Sequence, residues 1–215
     1  DRNKSVDDSK GEYVLLHLDC DDIYDNFILD WVYCFHLIEK EAKKDVLVSG
    51  KHINMIKKTL FKTLGGYRDL DFEDRDLWMR VASKNRLILW DHIDFVERLP
   101  KNFKHGLKNR TKFLYLAVEN DYLQGLNLDK LAKHYLIWLL SAPSFDRLLR
   151  FSLTFIVCFL CRNKPKLNIE HNFDPITFSH YKKNHTKKLC EIIKLDKNLI
   201  SSGFINSKSN QQFLN

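Results

Sequence analysis

A chain of 215 residues with 44% hydrophobic and 13% aromatic content can bury a core of ordinary domain size, which excludes global disorder. Lys and Arg total 35 against 28 Asp and Glu, a formal charge of +7, so an anionic partner is expected: a phosphate, a lipid headgroup or nucleic acid. The charge-free apolar run FSLTFIVCFLC at 151–161 is too short to span a bilayer and excludes an integral helix there.

Taken in chain order, the opening DRNKSVDDSK is polar and charged, without the apolar centre of a signal peptide. Residues 13–18, YVLLHL, predict a short buried strand that ends in the carboxylates Asp19, Asp21 and Asp22. From Asn26 to about Lys44 the apolar residues Phe27, Trp31, Cys34, Phe35 and Ile38 recur at helical spacing. DVLVSG predicts a second strand, and HINMIKKTLFKTLGG a mixed segment with a short helix stopped by Gly65 and Gly66. A helix from about Phe72 to Ser83 and a strand in RLILW follow. Strands and helices in alternation predict an α/β domain, with ligands beyond the carboxyl ends of its parallel strands.

The basic stretch RLPKNFKHGLKNRTK opens a different region, with helices predicted over 111–141 and 144–162, separated by SAPS. Arg147, Arg150 and Arg162 edge the second helix, a pattern that suits peripheral contact with a membrane; the competing reading is a helical subdomain covering the open end of the sheet. Nucleic acid is not expected, because only Phe103, Phe113 and Tyr115 are interleaved with the basic residues. The tail from Lys164 shows no clear period, and its last dozen residues are expected to be mobile. Three regions result: 1–97, 98–163 and 164–215. Cys20, Cys34, Cys158, Cys161 and Cys190 are odd in number and mostly apolar in setting, which predicts reduced thiols in the cytoplasm. Cys158 and Cys161 have zinc-knuckle spacing without a second pair, so core packing is expected.

Asp19, Asp21 and Asp22 crowd three anions at a strand end, where a divalent cation or hydrogen-bond donors must offset them. Mn²⁺ or Mg²⁺ held by one or two carboxylates and the phosphates of a substrate is one solution; a helix cap with solvated neighbours is the other. A second acidic cluster, DLDFEDRDLW at 69–78, follows the adjacent Gly65 and Gly66. There Glu73 and Asp74 suit the first turn of a helix, and Asp76 with Arg80 predicts a surface ion pair.

RNKSVDDSKGEYVLLHLDCDDIYDNFI, followed by LGGYRDLDFEDRDLWMRVA, resembles the family 2 glycosyltransferases of GT-A fold over roughly residues 2–97. The resemblance rests on an Arg-Asn stretch, an Asp-x-Asp motif, and a Gly-Gly-aromatic followed by Glu-Asp-x-Asp-Leu-Trp. It implies the C-terminal half of a Rossmann-like nucleotide-diphospho-sugar transferase domain, followed by a mainly helical region. Because that family carries a nucleotide-binding half ahead of its Asp-x-Asp, the chain is expected to be an N-terminally truncated piece.

Carried over by position, the resemblance implies that Asp19 and Asp21 bind the metal and the donor diphosphate, helped by Asp22 and Asn3. It makes Asp74 the general base, with Glu73 beside it, and puts Gly65, Gly66, Tyr67 and Trp78 on the acceptor side. His92 and His105 stand where some relatives place a metal or diphosphate ligand. The implied reaction moves a sugar with inversion from a nucleotide-diphosphate donor to a glycan, lipid-linked or protein acceptor, at the cytoplasmic face of a membrane. Two other classes are kept: a non-catalytic binding or scaffold protein derived from a transferase, and a haloacid dehalogenase-like phosphatase with Asp19 as nucleophile.

Overall fold

The structure, a computed structural model, describes residues 2–16, 22–24, 27–50, 53–90, 96–98, 106–167, 173–184 and 197–201. It is a mixed α/β protein with a small four-stranded mixed sheet and mostly helical content. The chain divides into two compact units. The first holds Asp1–Tyr67, Lys84–Lys101 and Tyr181–Asn215; the second holds Arg68–Ser83 and Asn102–His180. The segment containing Glu73 and Asp74 thus groups with the helical part, whereas the sequence pattern put it with the residues before 97.

The first unit opens with α1 (Arg2–Asp8), β1 (Tyr13–Leu16), β2 (Asp22–Tyr24) and α2 (Phe27–Ala42). Then come β3 (Leu47–Gly50), β4 (Asn54–Lys57) and α3 (Lys58–Thr63), and, after the intervening helix, β5 (Leu87–Trp90) and β6 (Val96–Arg98). The strand order is β1-β4-β3-β5, with β4 antiparallel to both neighbours and β3 parallel to β5. β1, β3 and β5 therefore share one direction, and their carboxyl ends lie along the same edge of the sheet. The expected mixed segment resolves into a strand that turns directly into a helix at Lys57–Lys58; no Gly or Pro marks that junction. β2 pairs with β6 in a separate two-stranded ladder that sets Asp22 opposite Arg98.

The α2 stripe is as the spacing predicts: Trp31, Cys34, Phe35 and Ile38 are buried. They pack on the cross-strand row Leu15, Met55, Val48 and Ile88. The alternate row, Val14, Ile56, Leu47 and Leu87, is buried as well. A sheet covered on both faces has no polar alternation, which is why its strands read as continuous apolar runs.

The second unit contains α4 (Glu73–Ser83), α5 (Leu107–Leu123), α6 (Leu128–Ser141) and α7 (Phe145–Leu160). The helix expected over 111–141 is two helices. Gly125 adopts φ +105° and Asn127 caps α6 through Oδ1, which accepts from Lys130 N at 3.0 Å. Ser144 caps α7 in the same way, at 3.4 Å to Arg147 N. Leu114, Val118, Tyr122, Leu131, Tyr135 and Val157 form the common core of α5, α6 and α7. Cys158 and Cys161 belong to it, as the apolar flanks predicted, and with Cys34 they are free thiols. Tail residues 164–215 contribute α8 (Pro175–Asn184) and α9 (Lys197–Ser201); the last dozen residues, Cys20 and Cys190 lie outside the described residues.

Candidate functional site

Two sequence stretches that carry the resemblance meet in the first unit. Asn3 donates through Nδ2 to Tyr67 O at 2.8 Å and accepts at Oδ1 from Tyr67 N at 2.8 Å. Arg2 sets its guanidinium 5.6 Å from the centre of the Tyr67 ring, and Phe61 meets that ring edge-on at 5.4 Å. The glycine pair before Tyr67 has a local cause. Gly65 N donates to Lys62 O at 2.9 Å and Gly66 N to Phe61 O at 3.0 Å, the double hydrogen bond of a Schellman stop to α3. Gly65 takes φ +80° and Gly66 φ +65°. At Gly66 a Cβ would also come within 2.6 Å of Asn3 Oδ1, so both backbone and contact demand glycine.

Beside this clasp runs a groove of about 420 Å³ along the outer edge of β1, lined by Arg2, Ser5, Ser9, the strand itself and Tyr67. β1 is an edge strand of the four-stranded sheet. Asp19 and Asp21 follow three and five positions after the end of β1 and lie outside the described residues, as do His92 and His105. Asp22 begins β2. At the same carboxyl edge, the row running from Leu16 crosses Asn54 and Ser49, which are 3% and 0% exposed. Asn54 Oδ1 is buried without a hydrogen-bond partner among the described residues. Polar atoms are rarely left so in a packed interior, and when they are, a bound group is a physical reason to keep them. Sequence reasoning passed over Ser49 and Asn54; the signal available was a polar residue in each of two otherwise apolar runs.

In the second unit, Glu73 and Asp74 occupy the first turn of α4, half-buried, where the helix dipole favours their charge. Trp78 lies one turn on, also half-buried. The neighbouring charges are structural. Asp76 is wholly buried, receiving Arg80 Nε and Nη2 at 2.8 Å each and Arg68 Nη1 at 3.4 Å. The surface pair expected from the i, i+4 spacing is therefore a buried one. Burial pulls the Arg80 guanidinium below its ordinary pKa, while Asp76 works in the opposite sense. Arg75 reaches Asp121 of α5 at 2.7 Å, and Asp121 accepts from Tyr135 of α6 at 2.6 Å. Burial, and then the Asp121 charge, drive the Tyr135 phenol far up.

The loop leading into α4 lines a polar cavity of about 330 Å³ with Asp69, Asp71, Glu119, Asn120 and Lys164. Lys164 pairs with Glu119, which also accepts from Cys161 Sγ at 3.3 Å. Asn120 is 5% exposed, and its Nδ2 has no hydrogen-bond partner among the described residues. A carboxylate pair at the mouth and an unsatisfied amide within suit a hydroxyl-bearing molecule, which donates to carboxylates and accepts from amides. The consecutive Glu119, Asn120 and Asp121 within the largely apolar C-terminal half of α5 were the missed signal for this cavity. Among the described residues no group of three or more His, Cys, Asp and Glu side chains is arranged to hold a metal.

Compared with known proteins, the chain matches no family model, no curated protein and no solved structure.

Proposed function

We propose that the chain is part of a metal-dependent, inverting glycosyltransferase with a GT-A type domain. One observation carries the reading: the Asp19–Asp22 carboxylates follow a strand whose carboxyl end shares an edge with those of β3 and β5, beside the orphaned Asn54 oxygen. Carboxylate and amide oxygens are the ligands that a hard cation takes. Asp19 and Asp21 would hold Mn²⁺ or Mg²⁺ with the diphosphate of a nucleotide sugar, and Asp22 and Asn3 would assist. The cation, when bound, offsets charge on the departing diphosphate.

The remaining chemistry belongs to the chain. Asp74 removes the proton of the acceptor hydroxyl as it attacks the anomeric carbon from the face opposite the leaving group, and Glu73 orients that hydroxyl. Gly65, Gly66 and Tyr67 shape the approach, and Trp78 supports the helix that carries the base. The acceptor is a glycan, a lipid-linked molecule or a protein. The polar cavity bordered by Asp69 and Asp71 supports a hydroxyl-rich one.

Thermal unfolding with Mn²⁺ and UDP or GDP tests the donor half. Stabilisation by the combination, lost in Asp21→Asn, is expected; none with either nucleotide overturns the donor assignment. For the base, Asp74→Asn is expected to lower transfer by about 10²- to 10⁴-fold while keeping the nucleotide-induced stabilisation. Equal transfer by the variant and the parent rules Asp74 out as base. Stabilisation without transfer favours the scaffold reading, and release of phosphate from a monoester favours the phosphatase.

A further inference from the structure

The polar cavity of the second unit is opposite in charge to the chain that holds it. Around it stand the carboxylates of Asp69, Asp71 and Glu119 against one ammonium, Lys164, whereas the whole chain carries a formal +7. Lys164 is already committed, and its hydrogen bond to Glu119 raises its pKa. Asp69 and Asp71 are exposed, and their carboxylates have no ion pair or hydrogen bond among the described residues. Two uncompensated anions at one mouth repel each other unless a cation joins them.

The buried part of the lining offers hydrogen bonds of both senses. Cys161 and Lys164 both contact Oε1 of Glu119, which leaves Oε2 without a partner among the described residues. The Asn120 side chain makes no hydrogen bond among them either, on a residue only 5% exposed. One turn further along α5, Gln124 is 2% exposed, and both polar atoms of its amide are without a partner among the described residues. Such amides are costly in a packed interior unless something supplies the missing bonds. A plain amine only donates, so it leaves the amide donor unmet, and a neutral polyol leaves the charge of the mouth in place. A molecule that joins hydroxyls to a protonated amine meets both demands. A volume of about 330 Å³ is at the small end of ligand cavities and suits a monosaccharide.

We propose that this cavity binds an amino sugar, with Asp69 and Asp71 drawing the ammonium to the mouth and Glu119 and Asn120 exchanging hydrogen bonds with the ring hydroxyls. Glu119 accepts, while the Asn120 amide both donates and accepts, so the proton and the lone pairs of a hydroxyl each find a partner. The site names the class of the acceptor and rests, for that role alone, on the transferase reading; binding itself needs neither donor nor metal.

Saturation-transfer NMR and calorimetry of the whole chain with glucosamine test it, at mildly acidic pH and without nucleotide or metal. Glucose is the neutral analogue, and cyclohexylamine is the ring amine without hydroxyls. Glucosamine is expected to bind more tightly than glucose by about threefold per carboxylate, and by less at high salt. Asp69→Asn with Asp71→Asn is expected to remove that preference while glucose binding persists; both side chains are exposed, so the fold is kept. Asn120→Leu is expected to weaken both sugars by about fivefold or more. Should that variant unfold, the aspartate pair carries the test. Equal binding of glucosamine and glucose, an undiminished preference in the aspartate pair, cyclohexylamine binding as tightly as glucosamine, or no sugar binding overturns the proposal. Sugar binding without nucleotide-induced stabilisation keeps this site and removes the donor assignment; the reverse keeps the donor assignment and removes this site.

Discussion

Asn3 holds the backbone of Tyr67 at both of its polar groups, donating to the carbonyl and accepting from the amide, each at 2.8 Å. One side chain on α1 thereby closes the turn that stops α3, across 64 positions of sequence.

That clasp predicts coupled substitutions. Asn3→Ala strands two backbone groups and is expected to cost about 1–3 kcal/mol. Gly66→Ala introduces a Cβ at φ +65° and 2.6 Å from Asn3 Oδ1, for a similar loss. Removing the Asn3 side chain relieves the collision, so the double variant should lose less than the two singles combined. Chemical denaturation of the four proteins measures the coupling, and strict additivity would contradict the contact.

Asp76 predicts a larger effect. With Arg80 also buried, at 6% exposure, Asp76→Ala removes the carboxylate that offsets its charge and is expected to destabilise by about 3–5 kcal/mol. A surface pair at the same spacing would cost a few tenths of a kcal/mol. Urea midpoints of Asp76→Ala and of Asp76→Ala with Arg80→Met distinguish the cases, because the second change removes the buried cation and should restore part of the loss.

Asn120 predicts a gain. Replacing an unsatisfied buried amide by an apolar side chain of similar size, Asn120→Leu, is expected to raise stability by about 1–2 kcal/mol. A lowered melting temperature would show that the amide has a structural partner, and a raised one would agree with an amide retained for a ligand.

His134 predicts a pH dependence. Burial holds its imidazole below the ordinary 6.5, reinforced by Arg75 and Arg150 and opposed by Asp121 and Asp174. Because the folded pKa is the lower one, the unfolded chain takes up the proton first as pH falls. The contribution to stability is complete above about 6.5 and is lost on descending from there toward the folded value. His134→Gln should therefore narrow the difference in unfolding free energy between about pH 8 and about pH 5.5; an unchanged difference would assign the dependence to other groups.

Local pattern alone foretold α2, whose apolar spacing matches its buried stripe, and the start of β1 after Gly11. It also foretold the stop at Gly65 and Gly66 and the acidic first turn of α4. β4 was less legible because NMIK passes straight into KTLFKT without a breaker. The break between α5 and α6 was hidden by helical periodicity on both sides, although Gly125 and Asn127 were available as signals.

Residue spacing by itself determined which segments are apolar on one face, where helices begin and stop, and that two acidic clusters stand in a fixed order along the chain. Those properties depend on neighbours within a few positions. Tertiary structure decided that β4 runs against the strands beside it, that Asp76 is a core ion and not a surface one, and that Asn3 belongs to Tyr67. It also decided that α7 keeps one apolar face bare, with Phe155 and Phe159 half exposed or more. Desolvation is the reason: the same carboxylate, amide or phenylalanine changes its energetic meaning with the water removed around it, and only distant parts of the chain remove that water.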